Sequence, residues 1–303
     1  MGDVRCATKN ERNSSRSLLP TPYSLLPTPY SLLTTPYSLL PTHYSLLTTH
    51  YSLLTPHYSL PHFFLSLRQN QQAMPVKVIA FDADDTLWVN EPYFQETEMK
   101  FIGLLDHLLK PHEISRELLK TESDNIPLYG YGVKAFTLSM IETALRISNG
   151  TLDAETIARI ISLGKEQLNH EVELLEGVEE TLKALHGQYR LVVATKGDLL
   201  DQERKLRKSG IEGYFHHVEI MSEKAPSDYL KLLKHLDVQP EEFLMVGNSL
   251  KSDIIPVLKL GGYGIHIPFH THWSLDKTDV KVDSPRFREV ASILEAKEAI
   301  ANL

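Results

Sequence analysis

The feature that most constrains this chain is a short apolar run that stops abruptly in acid. Val78-Ile79-Ala80-Phe81 is followed at once by Asp82-Ala83-Asp84-Asp85, and then by Thr86-Leu87-Trp88. An apolar run of this length reads as a buried strand. A buried strand has no structural use for clustered carboxylates at its end, because like-charge repulsion and desolvation both oppose them. Something positive must sit there. A divalent cation is the economical candidate, since Mg²⁺ is held by a few carboxylate oxygens together with substrate phosphate.

The chain downstream alternates between strand and helix patterns. The first strand is expected over 77–81, and a long helical region over 92–175. In that region Phe101, Leu104, Leu105 and Leu108 recur at helical spacing, as do Phe136, Met140, Ile141, Ala144 and Leu145. A glycine-bearing loop, Pro127 to Gly132, is expected to separate them, and a further helix is expected over 151–170 with Asp153 or Thr151 as its cap. Strands are then expected at 190–194, 215–220, 242–246 and 263–267. Helices are expected at 177–185, 199–208, 228–235, 254–260 and, closing the chain, 285–301. This order implies an α/β fold: a Rossmann-like parallel sheet with helices on both faces, and an all-helical cap inserted after the first strand. The expected division is 74–90 with 176–303 as the core and 91–175 as the cap.

Ligands in such sheets bind at the carboxyl ends of the strands, so the residues just after each strand carry the information. Thr195-Lys196-Gly197-Asp198 follows the second strand, where a hydroxyl and a glycine can cradle phosphate. Lys224 follows the third and can meet an anionic oxygen as a point charge. Gly247-Asn248-Ser249 through Asp253 follows the fourth, with a glycine that permits close approach and two side chains that offer oxygens. Each signal alone is weak; the set, in order and each after a strand, is strong.

Together these residues resemble the haloacid dehalogenase-like (HAD) hydrolase superfamily, over about residues 76–270. Asp82 to Leu87 matches its first motif, Thr195 the second, Lys224 the third, and Gly247-Asn248-Ser249 through Asp253 the fourth. The helical insert resembles the cap of its phosphatase-rich subgroup. The resemblance implies a Mg²⁺-dependent phosphatase acting on a small phosphorylated metabolite through an aspartyl-phosphate. It implies Asp82 as nucleophile and Asp84 as acid and base. Thr195 and Lys224 would hold the phosphoryl oxygens, with Asp82, Asp84, Asn248 and Asp253 at the metal. Two positions depart from the common pattern. Asn248 stands where many relatives carry Asp, at the loss of one negative charge, and Lys196 stands where Asn is frequent. Lys196 could add a phosphate contact, but is expected rather to pair with Asp198, and Asp85 to stabilise the turn. Same-fold alternatives are a phosphomutase and a dehalogenase, the latter disfavoured by Asp84; a non-catalytic scaffold is the alternative from another class.

In the insert, Asn125, Tyr129, Tyr131 and Lys134 could reach a leaving group, or simply pack a turn. Trp88 reads as packing near the cap hinge. His216, His217, His266, His270 and His272 fit no zinc spacing and read as satisfied loop histidines. Residues 1–73 differ in kind. A seven-residue unit, Ser-Leu-Leu-Pro-Thr-Pro-Tyr, recurs from Ser17 to Ser52. Its prolines and adjacent leucines exclude a coiled coil, so a disordered or polyproline-like tail is expected, with Met74 as a candidate start of translation. Across 303 residues the net charge is -8, which argues against nucleic acid as partner. Cys6 is the only cysteine, which fits a reducing compartment, and no apolar run suits a membrane span or secretory signal. A cytoplasmic location is the resulting expectation; the oligomeric state is open.

Overall fold

The computed structural model describes residues 76–303. The expectations for 1–73 lie outside the described residues. Strand β1 (Val78–Phe81) leads into four helices: α1 (Glu91–Leu105), α2 (Pro111–Tyr129), α3 (Val133–Ile147) and α4 (Ala154–Leu168). The chain then runs α5 (Val178–Leu185), β2 (Arg190–Lys196), α6 (Leu199–Ser209), β3 (His217–Met221), α7 (Pro226–Leu236) and β4 (Phe243–Gly247). It closes with α8 (Ile255–Leu260), β5 (Tyr263–His266), β6 (Phe287–Glu289) and α9 (Ile293–Ile300).

The sheet has six strands in the order β3-β2-β1-β4-β5-β6, and every pairing is parallel. The chain builds outward from β1 to β3, then returns to β4 on the other side of β1. That reversal opens a crevice at the carboxyl ends of β1 and β4. Successive side chains on a strand face opposite sides, and the core divides accordingly. Ile79, Phe81, Leu191, Val193, Leu244 and Val246 pack on one face with Val178 and Leu182 of α5, Leu206 of α6 and Ile293 of α9. Val78, Ala80, Val192, Phe243 and Met245 pack on the other with Tyr229 and Leu232 of α7 and Val257 of α8. Each fully buried large side chain contributes about 1.5–3 kcal/mol. A separate cluster, including Phe101, Ile114, Leu118, Phe136, Met140 and Ile160, ties α1 to α4 together.

Caps place the ends of these elements. Asp153 accepts a hydrogen bond from Thr156 N at the start of α4, and Gly210 ends α6 in the left-handed region at φ 74°. Three expectations are corrected. The closing helix over 285–301 is in fact a short parallel edge strand, β6, followed by α9. Arg288 and Glu289 are exposed, so β6 shows little of the apolar character that marks the inner strands, and Ser292 caps a helix much shorter than expected. The loop from Pro127 shrinks to Gly130–Gly132, because α2 carries Pro127 in its last turn and ends at Gly130. The helical region stops at Leu168 rather than reaching 175. Instead, the stretch before α5 lies antiparallel to the one after β1. Trp88 bridges Leu174, Val89 N donates to Glu173 O at 2.9 Å, and Leu175 N donates to Leu87 O at 3.0 Å.

Candidate active site

β1 delivers Asp82 to the crevice with the sheet ladder still holding it, for Asp82 N donates to Val246 O at 2.9 Å. A tight turn follows, in which the Ala83 carbonyl accepts from Leu87 N at 2.8 Å. Asp85 closes the turn in the left-handed region (φ 61°), which Asp tolerates better than most residues. Its carboxylate accepts from Asn90 N at 2.8 Å and from Glu91 N at 3.0 Å, so it caps α1. Asp85 is therefore a structural hinge between turn and helix, as its position suggested. Burial, only partly opposed by the Asn90 N–H, raises its pKa to about 7.

The centre of the site is a buried triad of charges. Lys224 Nζ donates to Asp82 Oδ1 at 2.5 Å and to Asp253 Oδ1 at 2.6 Å. All three side chains are nearly inaccessible. Asp253 is also held by Ser249 N, which donates to its Oδ2 at 3.0 Å. Gly247 makes room for it, since a Cβ there would lie 2.3 Å from Asp253 Oδ2. One ammonium faces two carboxylates, which leaves an excess of negative charge. Burial raises the Asp82 pKa, Lys224 opposes, and Asp253 adds to the rise. Burial pushes Lys224 down, but Asp253 and Asp82 outweigh it and the net shift is upward. The upward shift of Lys224 keeps its ammonium charged between the two acids.

Around this triad, Thr86 Oγ1 donates to Asp82 Oδ2 at 3.2 Å, and Asn248 Oδ1 lies 3.5 Å from the same hydroxyl. His266 supports that loop: Nε2 meets Asn248 O at 3.0 Å and Nδ1 meets Glu289 at 2.9 Å. The other wall comes from α6. Gln202 Nε2 donates to Thr195 Oγ1 at 2.8 Å and to Asp84 Oδ2 at 2.9 Å. Lys205 Nζ and the Trp88 indole N–H both donate to Asp84 Oδ1, at 2.6 and 2.7 Å. Trp88 thus does more than pack: it and two α6 residues fix the Asp84 carboxylate.

All six residues singled out from the sequence (Asp82, Asp84, Thr195, Lys224, Asn248 and Asp253) line one cavity of about 460 Å³. The helical insert supplies part of the wall, including Phe94, Glu122, Asn125, Tyr131 and Phe136. Of the four insert residues named earlier, Asn125 and Tyr131 reach the cavity. Asn125 is buried and donates to Ser139 Oγ and Glu142, while the Tyr131 hydroxyl donates to Glu223 at 2.6 Å. Tyr129 is exposed and Lys134 pairs with Asp198. That pairing overturns the expected Lys196–Asp198 contact. Lys196 turns instead to Ser252 Oγ at 3.0 Å, with Asp276 at 3.7 Å and the Tyr131 ring 4.4 Å below it. The side chain follows the Ser252 hydroxyl, the Asp276 carboxylate and the ring rather than its neighbour in sequence, which Lys134 already pairs. Gln202 and Lys205 were missed because nothing local in α6 signals a partner more than a hundred residues earlier.

The donors are those that a hard divalent cation takes. Carboxylates of Asp82 and Asp253, the amide oxygen of Asn248 and the backbone carbonyl of Asp84 are all oxygens, and the excess buried negative charge calls for a cation. The residues fit Mg²⁺.

Comparison with known proteins identifies the family. The family model for haloacid dehalogenase-like hydrolases matches residues 76–261. A solved structure described as a haloacid dehalogenase-like family hydrolase from Xanthomonas campestris is 39% identical, covers 75% of this chain and 96% of its own, and superposes with a TM-score of 0.67. The N-acylneuraminate-9-phosphatase of Rattus norvegicus is 26% identical over 197 residues, 61% of this chain and 79% of its own. The glyceraldehyde 3-phosphate phosphatase of Methanopyrus kandleri is 23% identical over 224 residues, 70% of this chain and 94% of its own. With its crevice at β1 and β4, its four strand-end loops and the extent of these matches, the chain belongs to the haloacid dehalogenase-like hydrolase family.

Proposed function

We propose that the protein is a Mg²⁺-dependent phosphatase that hydrolyses a small phosphorylated metabolite through an aspartyl-phosphate on Asp82. The observation that carries this reading is Asp84, a carboxylate fixed by three donors on the same cavity as Asp82. Displacing halide from carbon needs no such acid, whereas a phosphoester leaves as an alkoxide that must be protonated. The two curated relatives described above are both phosphatases by name, which supports the same choice.

An Asp82 carboxylate oxygen attacks phosphorus as the bond to the leaving oxygen breaks. Asp84, in its protonated form as this step begins, gives that oxygen its proton. Water then attacks the phosphorus of the Asp82 acyl phosphate, Asp84 takes a proton from it, and phosphate leaves as Asp82 is restored. A carboxylate is a weak nucleophile, so positioning and charge neutralisation carry most of the rate. Lys224 supplies one fixed positive charge and the Thr195 hydroxyl a donor for the phosphoryl oxygens. Asp82, Asp253, Asn248 and the Asp84 carbonyl would hold Mg²⁺, which when bound offsets the charge of the phosphoryl group and of the acids. Asn248 in place of a carboxylate lowers the site's charge and hence its metal affinity.

The cavity is closed in part by the insert, which suits a small substrate. Among the described residues no helix is long and apolar enough to cross a membrane. Phosphate release from an aryl phosphate, then from a panel of phosphometabolites, tests the reading. Release with Mg²⁺ and its loss on chelation are expected. Undiminished turnover in chelator would overturn the metal dependence, and isomerisation of a sugar phosphate without net release would identify a phosphomutase.

A further inference from the structure

At the other end of the sheet three potential ligands converge that the site above does not use. His217 opens β3 and Glu219 follows two positions later, so both project from the same face of the strand. His235 comes from the last turn of α7, which returns across the sheet to lie beside the start of β3. His217 Nε2 is 2.8 Å from Glu219 Oε2, and His235 Nδ1 is 3.8 Å from the same oxygen. The two imidazoles meet edge to face, with 6.2 Å between centroids. One ligand atom from each of the three lies within 4.8 Å of the other two.

We propose that His217, Glu219 and His235 form a second metal site, for a transition-metal ion of the Zn²⁺ class. Two imidazole nitrogens and one carboxylate oxygen make a donor set that favours Zn²⁺, Ni²⁺ or Cu²⁺ over Mg²⁺, which prefers oxygen alone. Bonds of about 2.0–2.2 Å in tetrahedral array place neighbouring ligand atoms roughly 3.3–3.6 Å apart. The two measured separations, 2.8 and 3.8 Å, bracket that range. Small rotamer changes close the difference, and His235, whose side chain is 73% exposed, is free to make them. Three protein ligands leave a fourth position for water or an outside ligand. The site is roughly 13 Å along the strand from the end of β3 that leads to Lys224, so it is distinct from the Mg²⁺ donors. Its mechanical effect is to clip β3, an edge of the sheet, to α7, at a place where an unpaired edge otherwise invites pairing with another chain.

The competing account is an ordinary hydrogen-bonded surface cluster, and metal titration separates the two. The full chain is titrated with Zn²⁺ by calorimetry in excess Mg²⁺, which fills the oxygen site. Residues 1–75 contain further histidines, so the readout is the difference between proteins. Wild type is expected to bind one Zn²⁺ that H235A and E219Q lose, or bind at least about tenfold more weakly, since loss of even a supporting partner costs that much. The metal is also expected to raise Tm in wild type more than in either variant. His235 is exposed on the end of its helix, and Glu219→Gln keeps the side-chain shape, so both variants fold. Identical stoichiometry and affinity in all three proteins, or no Zn²⁺ bound by wild type, would overturn the proposal.

Discussion

Lys224→Met exposes the logic of the site, because it keeps most of the side chain's length and removes its charge and the two hydrogen bonds it donates. The lysine side chain is 2% exposed and sits between two carboxylates that are 9% and 1% exposed. Without it both acids are buried with no cation. Removing one partner of a buried ion pair costs about 3–5 kcal/mol, which for a chain of this size lowers Tm by roughly 6–20 °C. The deficit has a definite pH dependence. Loss of the cation raises the folded-state pKa of Asp82 further above its unfolded value. The protonated form then folds well and the charged form does not, so the deficit is small near pH 4, opens as pH rises through about 7 and grows further above it. Thermal unfolding by circular dichroism at pH 4, 6 and 8 measures it, and millimolar Mg²⁺ should restore more stability to the variant than to wild type. Equal Tm values at pH 8, or a deficit that grows on acidification, would refute the charge balance described above.

Two further predictions rest on single contacts. Gly247→Ala places a methyl group 2.3 Å from Asp253 Oδ2, so that carboxylate must move; we expect the Mg²⁺ concentration for half-maximal activity to rise by about 10–100-fold, with the far-UV spectrum unchanged. Glu122 has its pKa raised to about 8 by burial, with Glu98 and Glu91 adding to it, so its contribution to stability is full below its usual 4.5 and is lost as pH rises through about 8. Glu122→Gln should therefore raise Tm at pH 9 and leave it little changed at pH 4; the opposite order in a melting series would exclude the assignment.

How much of this was legible in the sequence depends on whether the signal is local. The end of β1 was legible because apolar residues give way to acids within one turn, and burial of like charge has few physical explanations. Thr195, Lys224 and the Asn248 to Asp253 loop were legible because each lies at or shortly after the carboxyl end of a strand. β6 was not, since an exposed edge of three residues has no alternation to read and Ser292 caps a helix in the same stretch. The partner of Lys196 was not legible because adjacency in sequence is a weak guide once a distant acid and an aromatic ring are near in space. Gln202 and Lys205 look like any polar positions of α6, and only the packing of α6 against the turn at Asp84 gives them a task. His217, Glu219 and His235 have no motif spacing at all; the return of α7 across the sheet brings them together.

The central claim is that Asp82 carries the phosphoryl group. The most direct measurement is mass spectrometry of the peptide containing residues 78–100 after acid quench during turnover of an aryl phosphate with Mg²⁺. The account predicts one phosphoryl group on Asp82 in wild type. In Asp82→Asn it predicts none, with turnover lower by about three orders of magnitude or more. An unmodified peptide in an enzyme that is turning over, together with near wild-type turnover in Asp82→Asn, would contradict it.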